Sequence, residues 1–165
     1  MFIHRIISGG QTGVDRAALD VAIEFNIPSG GWCPRGRRAE DGVIPERYSL
    51  QEADSSDYAV RTYLNVQDSD GTLILNIGQL TDGTKLTVEY ARQLSKPYCI
   101  VALDQAHDAQ VAMVIKWLED DKIKIVNVAG PRGSHSPDIS SLAVIFLRKL
   151  ILSPGFISDE RDGIR

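Results

Sequence analysis

Short apolar runs alternate with segments whose apolar residues recur every three to four positions, a pattern that predicts parallel strands covered by helices on both faces. His4 to Ser8 reads as the first strand. Gly13 to Asn26 reads as a helix with Val14, Ala17, Ala18, Val21, Ala22 and Phe25 on one side, and Asp15, Arg16, Asp20 and Glu24 mostly on the other. A short strand follows near Ser29 to Trp32. Cys33 to Ser49 shows neither period and is rich in Gly, Pro and Arg, so it reads as a long connection of the kind that carries function. A polar helix covers Ser56 to Gln67 and a strand Thr72 to Asn76; the turn from Leu80 to Thr84 then opens a helix to Ser95, with Asp82 as its N-cap. Pro97 to Leu103 is a strand, Ala106 to Asp121 a helix with Val111, Ala112, Ile115 and Leu118 inward, and Ile123 to Val128 the last strand. The closing helix, Asp138 to Leu152, is apolar on most sides, which suits deep burial or a subunit contact. The fold expected is α/β: a Rossmann-like three-layer sandwich with a mostly parallel sheet of about five strands and helices on both faces. One domain covers residues 1–152 and a polar C-terminal tail residues 153–165.

At 165 residues one hydrophobic core is enough. The net charge of -4 argues against a polyanionic partner, so nucleic acid is not expected. No apolar run approaches the ~20 residues that span a bilayer, and Met1 to Ser8 lacks a signal pattern, so no membrane partner is expected either. Cys33 and Cys99 show neither metal-ligand nor disulfide spacing, which fits a cytoplasmic protein; His4, His107 and His135 are scattered, so no metal site is expected. The cations are biased toward arginine, and Arg35, Arg37, Arg38, Arg47 and Arg61 fall close together. Arginine's planar fork matches phosphate and carboxylate oxygens.

Four turns could carry chemistry. Ser8-Gly9-Gly10-Gln11-Thr12-Gly13 joins a strand to a helix start, where glycines permit close approach and the first helical amides lack internal partners, so a phosphate fits there; the other reading is a tight packing turn. Gly9 and Gly10 are adjacent, so the dinucleotide fingerprint is absent. The turn containing Gly83 and Thr84 repeats the arrangement and could form an opposite wall, although Asp-Gly-Thr is also an ordinary helix start. The loop Gly31 to Gly42, with Trp32, Arg35, Arg37 and Arg38, suits a lid that stacks on a ring and pairs with oxyanions. Its plainer reading is a solvated basic loop tied down by Glu40 and Asp41. Gly130 to Ser134 follows the last strand, where Arg132 and Ser134 could close over a phosphate.

The runs Ser8 to Asp20, Gly31 to Gly42, Arg61-Thr62 with Asn65, Asp68 to Thr72 and Asn127 to Arg132 resemble the molybdenum carrier family, relatives of the algal molybdenum cofactor carrier protein in the SLOG group of Rossmann-like folds. The resemblance covers nearly everything before the tail. It implies a homo-oligomer that binds molybdenum cofactor (molybdopterin), a phosphate-bearing pterin, or a nucleotide-derived ligand. The chain is also similar to the cytokinin-activating phosphoribohydrolases, which implies as an alternative the hydrolysis of nucleoside monophosphates, with Glu89 assisting departure of the base. In that motif the glutamate stands three residues after the threonine, whereas Glu89 stands five after Thr84, well round the helix at ~100° per residue. A third reading is a scaffold protein with a vestigial pocket. The leading expectation is a binding or carrier protein in which Gly9, Gly10, Gln11, Thr12 and Gly13 cradle a phosphate, Gly83 and Thr84 face them, and Arg35, Arg37, Arg38 and Arg132 supply charge.

Overall fold

The computed structural model describes residues 3–156. In chain order the elements are β1 (Arg5–Ile7), α1 (Val14–Glu24), β2 (Ser29–Gly30), β3 (Trp32–Cys33), β4 (Arg38–Ala39), β5 (Gly42–Val43), β6 (Gln51–Glu52), α2 (Tyr58–Asp68), β7 (Gly71–Asn76), α3 (Asp82–Gln93), β8 (Tyr98–Ala102), α4 (His107–Asp120), β9 (Ile125–Ala129) and α5 (Ile139–Ile151). The central sheet has five strands in the order β2-β1-β9-β7-β8, and every pairing in it is parallel. Side chains alternate across these strands, so Ile6, Leu73, Leu75, Val101, Val126 and Val128 point to one face and pack against α1, α4 and α5. The other face carries Thr72, Ile74, Asn76 and Asn127 and is covered by α2 and α3. The result is the α/β, Rossmann-like sandwich that the periodicities imply.

Connectivity fixes where a ligand can sit. From β1 the chain crosses to β2 through α1 on one face; from β7 it crosses to β8 through α3 on the other face and in the opposite direction along the sheet. β9 lies between β1 and β7, so a crevice opens outside the carboxyl ends of these three strands.

Several expectations are corrected. Asp82 is the first helical residue of α3 and Thr81 is the N-cap, because Thr81 is extended (φ -72, ψ 166) while its carbonyl accepts from Lys85 N–H at 2.8 Å. On α4 it is Val114, not Ala112, that is buried with Val111 and Leu118. Asp15 is buried rather than on the polar side of α1. The connection after Cys33 is not structureless: β3 pairs with β6, β4 with β5, and Ala39, Ile44 and Tyr48 make a small second core with Leu19 and Cys33. Strands of two residues are too short to show a period, which is why the pattern misses them. The start of the expected tail is docked: Phe156 is buried in the main core and its carbonyl accepts from Ile3 N–H at 3.3 Å. Residues 157–165 of that tail lie outside the described residues.

Candidate functional site

The crevice holds a cleft of about 520 Å3, a volume in the range of small-molecule sites. Its walls come from the turn after β1 (Gln11), the first turns of α2 (Tyr58, Arg61, Thr62) and α3 (Thr81 to Thr84), and the turn after β9 (Gly130 to Arg132, with His135).

The turn after β1 is largely satisfied by the protein itself. Gln11 N–H donates to Asp15 Oδ2 at 3.1 Å, Thr12 N–H to Gln11 Oε1 at 3.1 Å, and Val14 N–H to the Pro131 carbonyl at 3.2 Å. Gly10 (φ 78) lies under the long loop, where an added Cβ would be 2.6 Å from Leu50 Cδ1 and 3.0 Å from Ile44 Cδ1. Gly9 lets a charged pair press on the backbone, since a Cβ there would lie 2.5 Å from Arg61 Nη1 and 2.9 Å from Asp15 Oδ2. The first turn thus forms the floor of the cleft, and of its residues Gln11 lines it directly. Gln11 is 6% exposed, and its Nε2 has no hydrogen-bond partner among the described residues.

The opposite wall is open. Among the described residues the amides of Asp82, Gly83 and Thr84 have no acceptor, as expected for the start of a helix. Thr84 Oγ1 lies 3.0 Å from Thr81 Oγ1, and nothing stands within 4 Å of where a Gly83 Cβ would be.

Cationic charge gathers around the Tyr58 ring, with the guanidinium carbons of Arg38, Arg132 and Arg61 at 5.0, 5.5 and 5.7 Å from its centroid. Arg61 stands 3.8 Å from Asp15 and Arg132 3.9 Å from Glu40, and the buried Nε of Arg61 has no partner among the described residues. Burial pushes the Asp15 carboxyl above its ordinary value, and the Arg61 charge works against that rise.

The other sequence-derived candidates are spread more widely. Arg37 staples the long loop, donating to the carbonyls of Ile44, Pro45 and Tyr48 at 3.1, 2.9 and 2.9 Å. Arg35 is exposed and outside the cleft lining, and its backbone N–H bonds Ser55. Ser134 and Thr12 both donate to the Glu40 carboxylate. Gly13 packs against the turn after β9. Glu89 is exposed on α3 and is not part of the cleft lining. Trp32 does not stack in the cleft either: its backbone is clamped by Asn65 at 2.8 and 2.9 Å and its indole N–H donates to Asp68 at 2.7 Å. The ring in the cleft is Tyr58, which no sequence motif flagged, and the acid beside it is Asp15, whose burial a helical wheel does not reveal. Arg61 belongs to the arginine-rich stretch and to the Arg-Thr pair already noted. Among the described residues no cluster of His, Cys, Asp and Glu could hold a metal ion, and no helix is long and apolar enough to cross a membrane.

Residues 6–151 match a family model described as the circularly permutated YpsA SLOG family. The chain is also similar to a crystal structure, at 1.45 Å resolution, of a "Putative molybdenum carrier protein" from Syntrophus aciditrophicus SB. The two are 46% identical over 92% of this chain and 96% of that one, with a TM-score of 0.88. No curated protein matches the chain.

Proposed function

The chain belongs to the circularly permutated YpsA SLOG family, and from that membership and its cleft we propose that it is a binding or carrier protein for a small phosphate-bearing molecule. Molybdenum cofactor and nucleotide-derived compounds are the two ligand classes, the first suggested by the name of the similar crystal structure. The observation that carries the reading is the donor set gathered on one cleft: the amides of Asp82, Gly83 and Thr84, without acceptors among the described residues, across from Gln11, Arg61 and Arg132, with Gln11 Nε2 and Arg61 Nε buried in that wall and likewise without partners among the described residues. Buried donors of this kind are rare in folded proteins, and a ligand oxyanion supplies what they lack. On this reading Gly83, Thr84, Gln11, Thr12, Arg61 and Arg132 hold the phosphate, Arg38 and Tyr58 border the remainder of the ligand, and Gly9, Gly10 and Gly13 support the site from below. A pterin phosphate fits such a set through its phosphate; the metal would travel as part of the cargo.

Assembly into a homo-oligomer and a cytoplasmic place of action belong to the same proposal. Ile145 of α5 and Leu152 just after it, 53% and 70% exposed, leave apolar surface suited to a second copy, which light scattering would detect.

The cleft is tested by calorimetric titration with molybdenum cofactor and with nucleoside mono- and diphosphates, on the wild type and on Gly83→Trp. The substitution fills open space, so it should leave the melting temperature within about 2 °C, as a surface change does, and abolish binding. Absence of binding by the wild type, or undiminished binding by Gly83→Trp, defeats the proposal.

A further inference from the structure

The β4–β5 hairpin carries two acids at its tip that do different work. Asp41 forms a two-point pair with Arg16, at 2.5 and 2.7 Å. Glu40 reaches back over the turn after β1. Its N–H donates to Gln11 Oε1 at 2.9 Å, and its carboxylate gathers donors from two separate segments: the Thr12 hydroxyl, the Ser134 N–H at 3.2 Å and the Ser134 hydroxyl at 2.6 Å, with Arg132 Nη1 at 3.9 Å. A backbone amide, two hydroxyls and a guanidinium converging on one carboxylate near a helix start are the donor set of an oxyanion site. Desolvation pushes the Glu40 carboxyl up, but the bonds from Ser134 and Thr12 and the Arg132 charge outweigh it and hold it below its ordinary value, as they would a bound anion.

This spot is continuous with the cleft. Arg132 and Gln11 contact Glu40 and also line the cleft, and Gln11, 6% exposed, has an Nε2 without a partner among the described residues. The hairpin's base is fixed by the Arg37 bonds and by buried Ala39 and Ile44, whereas its tip ends at Gly42, where φ is 117 and an added Cβ would meet nothing. With the base and the Asp41–Arg16 pair holding the hairpin, the Glu40 carboxylate is freed by rotation of its own side chain, not by movement of the whole loop.

We propose that the Glu40 carboxylate is an internal stand-in for a ligand oxyanion, and that a tetrahedral oxyanion of the phosphate type displaces it by taking over Thr12, Arg132 and Ser134. This rests on reading the neighbouring cleft as an anion site. A tetrahedral dianion has more oxygens and more charge than a carboxylate, so it outcompetes the latch. The latch in turn lowers apparent affinity by the fraction of time it is open.

The test is calorimetric titration of wild type, Glu40→Ala and Glu40→Ala/Ser134→Ala, separately with orthophosphate and with a nucleoside 5′-monophosphate. Glu40→Ala should bind at least one of the two about tenfold or more tighter than wild type, and the added Ser134→Ala should reverse the gain. A gain with orthophosphate identifies a free oxyanion as sufficient; a gain with the monophosphate alone identifies the phosphate of a larger ligand. Where Glu40→Ala melts early, Glu40→Gln serves, since it is isosteric but sets an NH2 group against the Ser134 donors; a severalfold gain is expected. No gain from a folded Glu40 variant with either probe overturns the inference, even where Gly83→Trp shows that the cleft binds nucleotide. A gain in orthophosphate binding by Glu40→Ala that Gly83→Trp does not touch, with no nucleotide bound by any variant, keeps this inference and discards the reading of the cleft.

Discussion

Replacing Gly13 with alanine tests whether the cleft's floor is locked to its wall. Gly13 adopts φ 82 and ψ -127 at the start of α1, a region open to glycine that costs other residues roughly 1–3 kcal/mol. An added Cβ would lie 2.4 Å from the Pro131 carbonyl oxygen and 2.7 Å from Gly133 N, against about 3.4 Å for ordinary contact, so the turn after β9 must retreat by about 1 Å. That retreat breaks Val14 N–H to Pro131 O (3.2 Å) and Gly133 N–H to Thr12 Oγ1 (3.1 Å), each worth about 0.5–1.5 kcal/mol. The combined loss is roughly 2–6 kcal/mol, against a total stability of about 5–15 kcal/mol. Thermal melting reads it directly: at this chain length each kcal/mol moves the midpoint by about 2–4 °C, so a drop of at least about 4 °C is expected. Gly133→Ala is the control, because its Cβ would meet Thr12 at an ordinary 3.5–3.6 Å. A Gly13→Ala protein that melts within about 2 °C of wild type, or no lower than Gly133→Ala, would show that the two turns are not locked together.

Arg61→Met strands the buried Asp15 carboxyl and should cost about 3–5 kcal/mol in urea denaturation, part of it recovered in Arg61→Met/Asp15→Asn; additive single effects would mean that the pair is not coupled. The paired donors of Arg16 hold the Asp41 carboxyl below its ordinary value of 3.8, so its contribution to stability is fully present above that value and fades as the pH falls through the lower, folded one. The stability gap between wild type and Asp41→Asn should accordingly be level above about pH 5 and close in acid, and a gap that widened on acidification would contradict the pairing. Burial pushes the half-buried Cys99 thiol up to about 11, so its alkylation at pH 7.5, followed by mass spectrometry, should run at least about tenfold slower than that of a free thiol. Labelling as fast as a model thiol would show that Cys99 is not desolvated.

Sequence pattern served best where an element is long enough to repeat. All five helices and the longer strands of the central sheet are legible, because burial of Val14, Ala18, Val21 and Ala22 or of Leu73, Leu75 and Val101 imposes a period on the chain; β2, two residues long, falls inside the short strand read near Ser29 to Trp32 but has no period of its own. That the glycine turns after β1, β7 and β9 gather at one crevice was legible too, since the topology places all three at the carboxyl ends of adjacent strands. Which atoms line the cleft was not. Whether Thr12 and Ser134 serve a phosphate or Glu40 depends on contacts across 28 and 94 positions, and no local spacing encodes them. Asp15 was misplaced for a similar reason: its neighbours suggest a solvated first turn, but α2 brings Arg61 over it from far along the chain.

The arginines divide by where their donors go. Arg16 and Arg37 spend their donors on the protein, Arg16 on Asp41 and the Gly10 carbonyl, Arg37 on three loop carbonyls. Among the described residues, the carboxylates nearest Arg61 and Arg132 lie at 3.8 and 3.9 Å, beyond hydrogen-bonding distance, and the buried Nε of Arg61 has no acceptor. A buried donor left unmatched costs about 1–3 kcal/mol, and an oxyanion that supplies the acceptor recovers that cost on binding. The positions of Arg61 and Arg132 are set by Asp15, Glu40 and the Tyr58 ring, so on the proposed function little ordering of these side chains would accompany binding. Removing Arg37 should therefore loosen the hairpin, whereas removing Arg61 should weaken affinity as well as stability, because only the second residue holds donors in reserve.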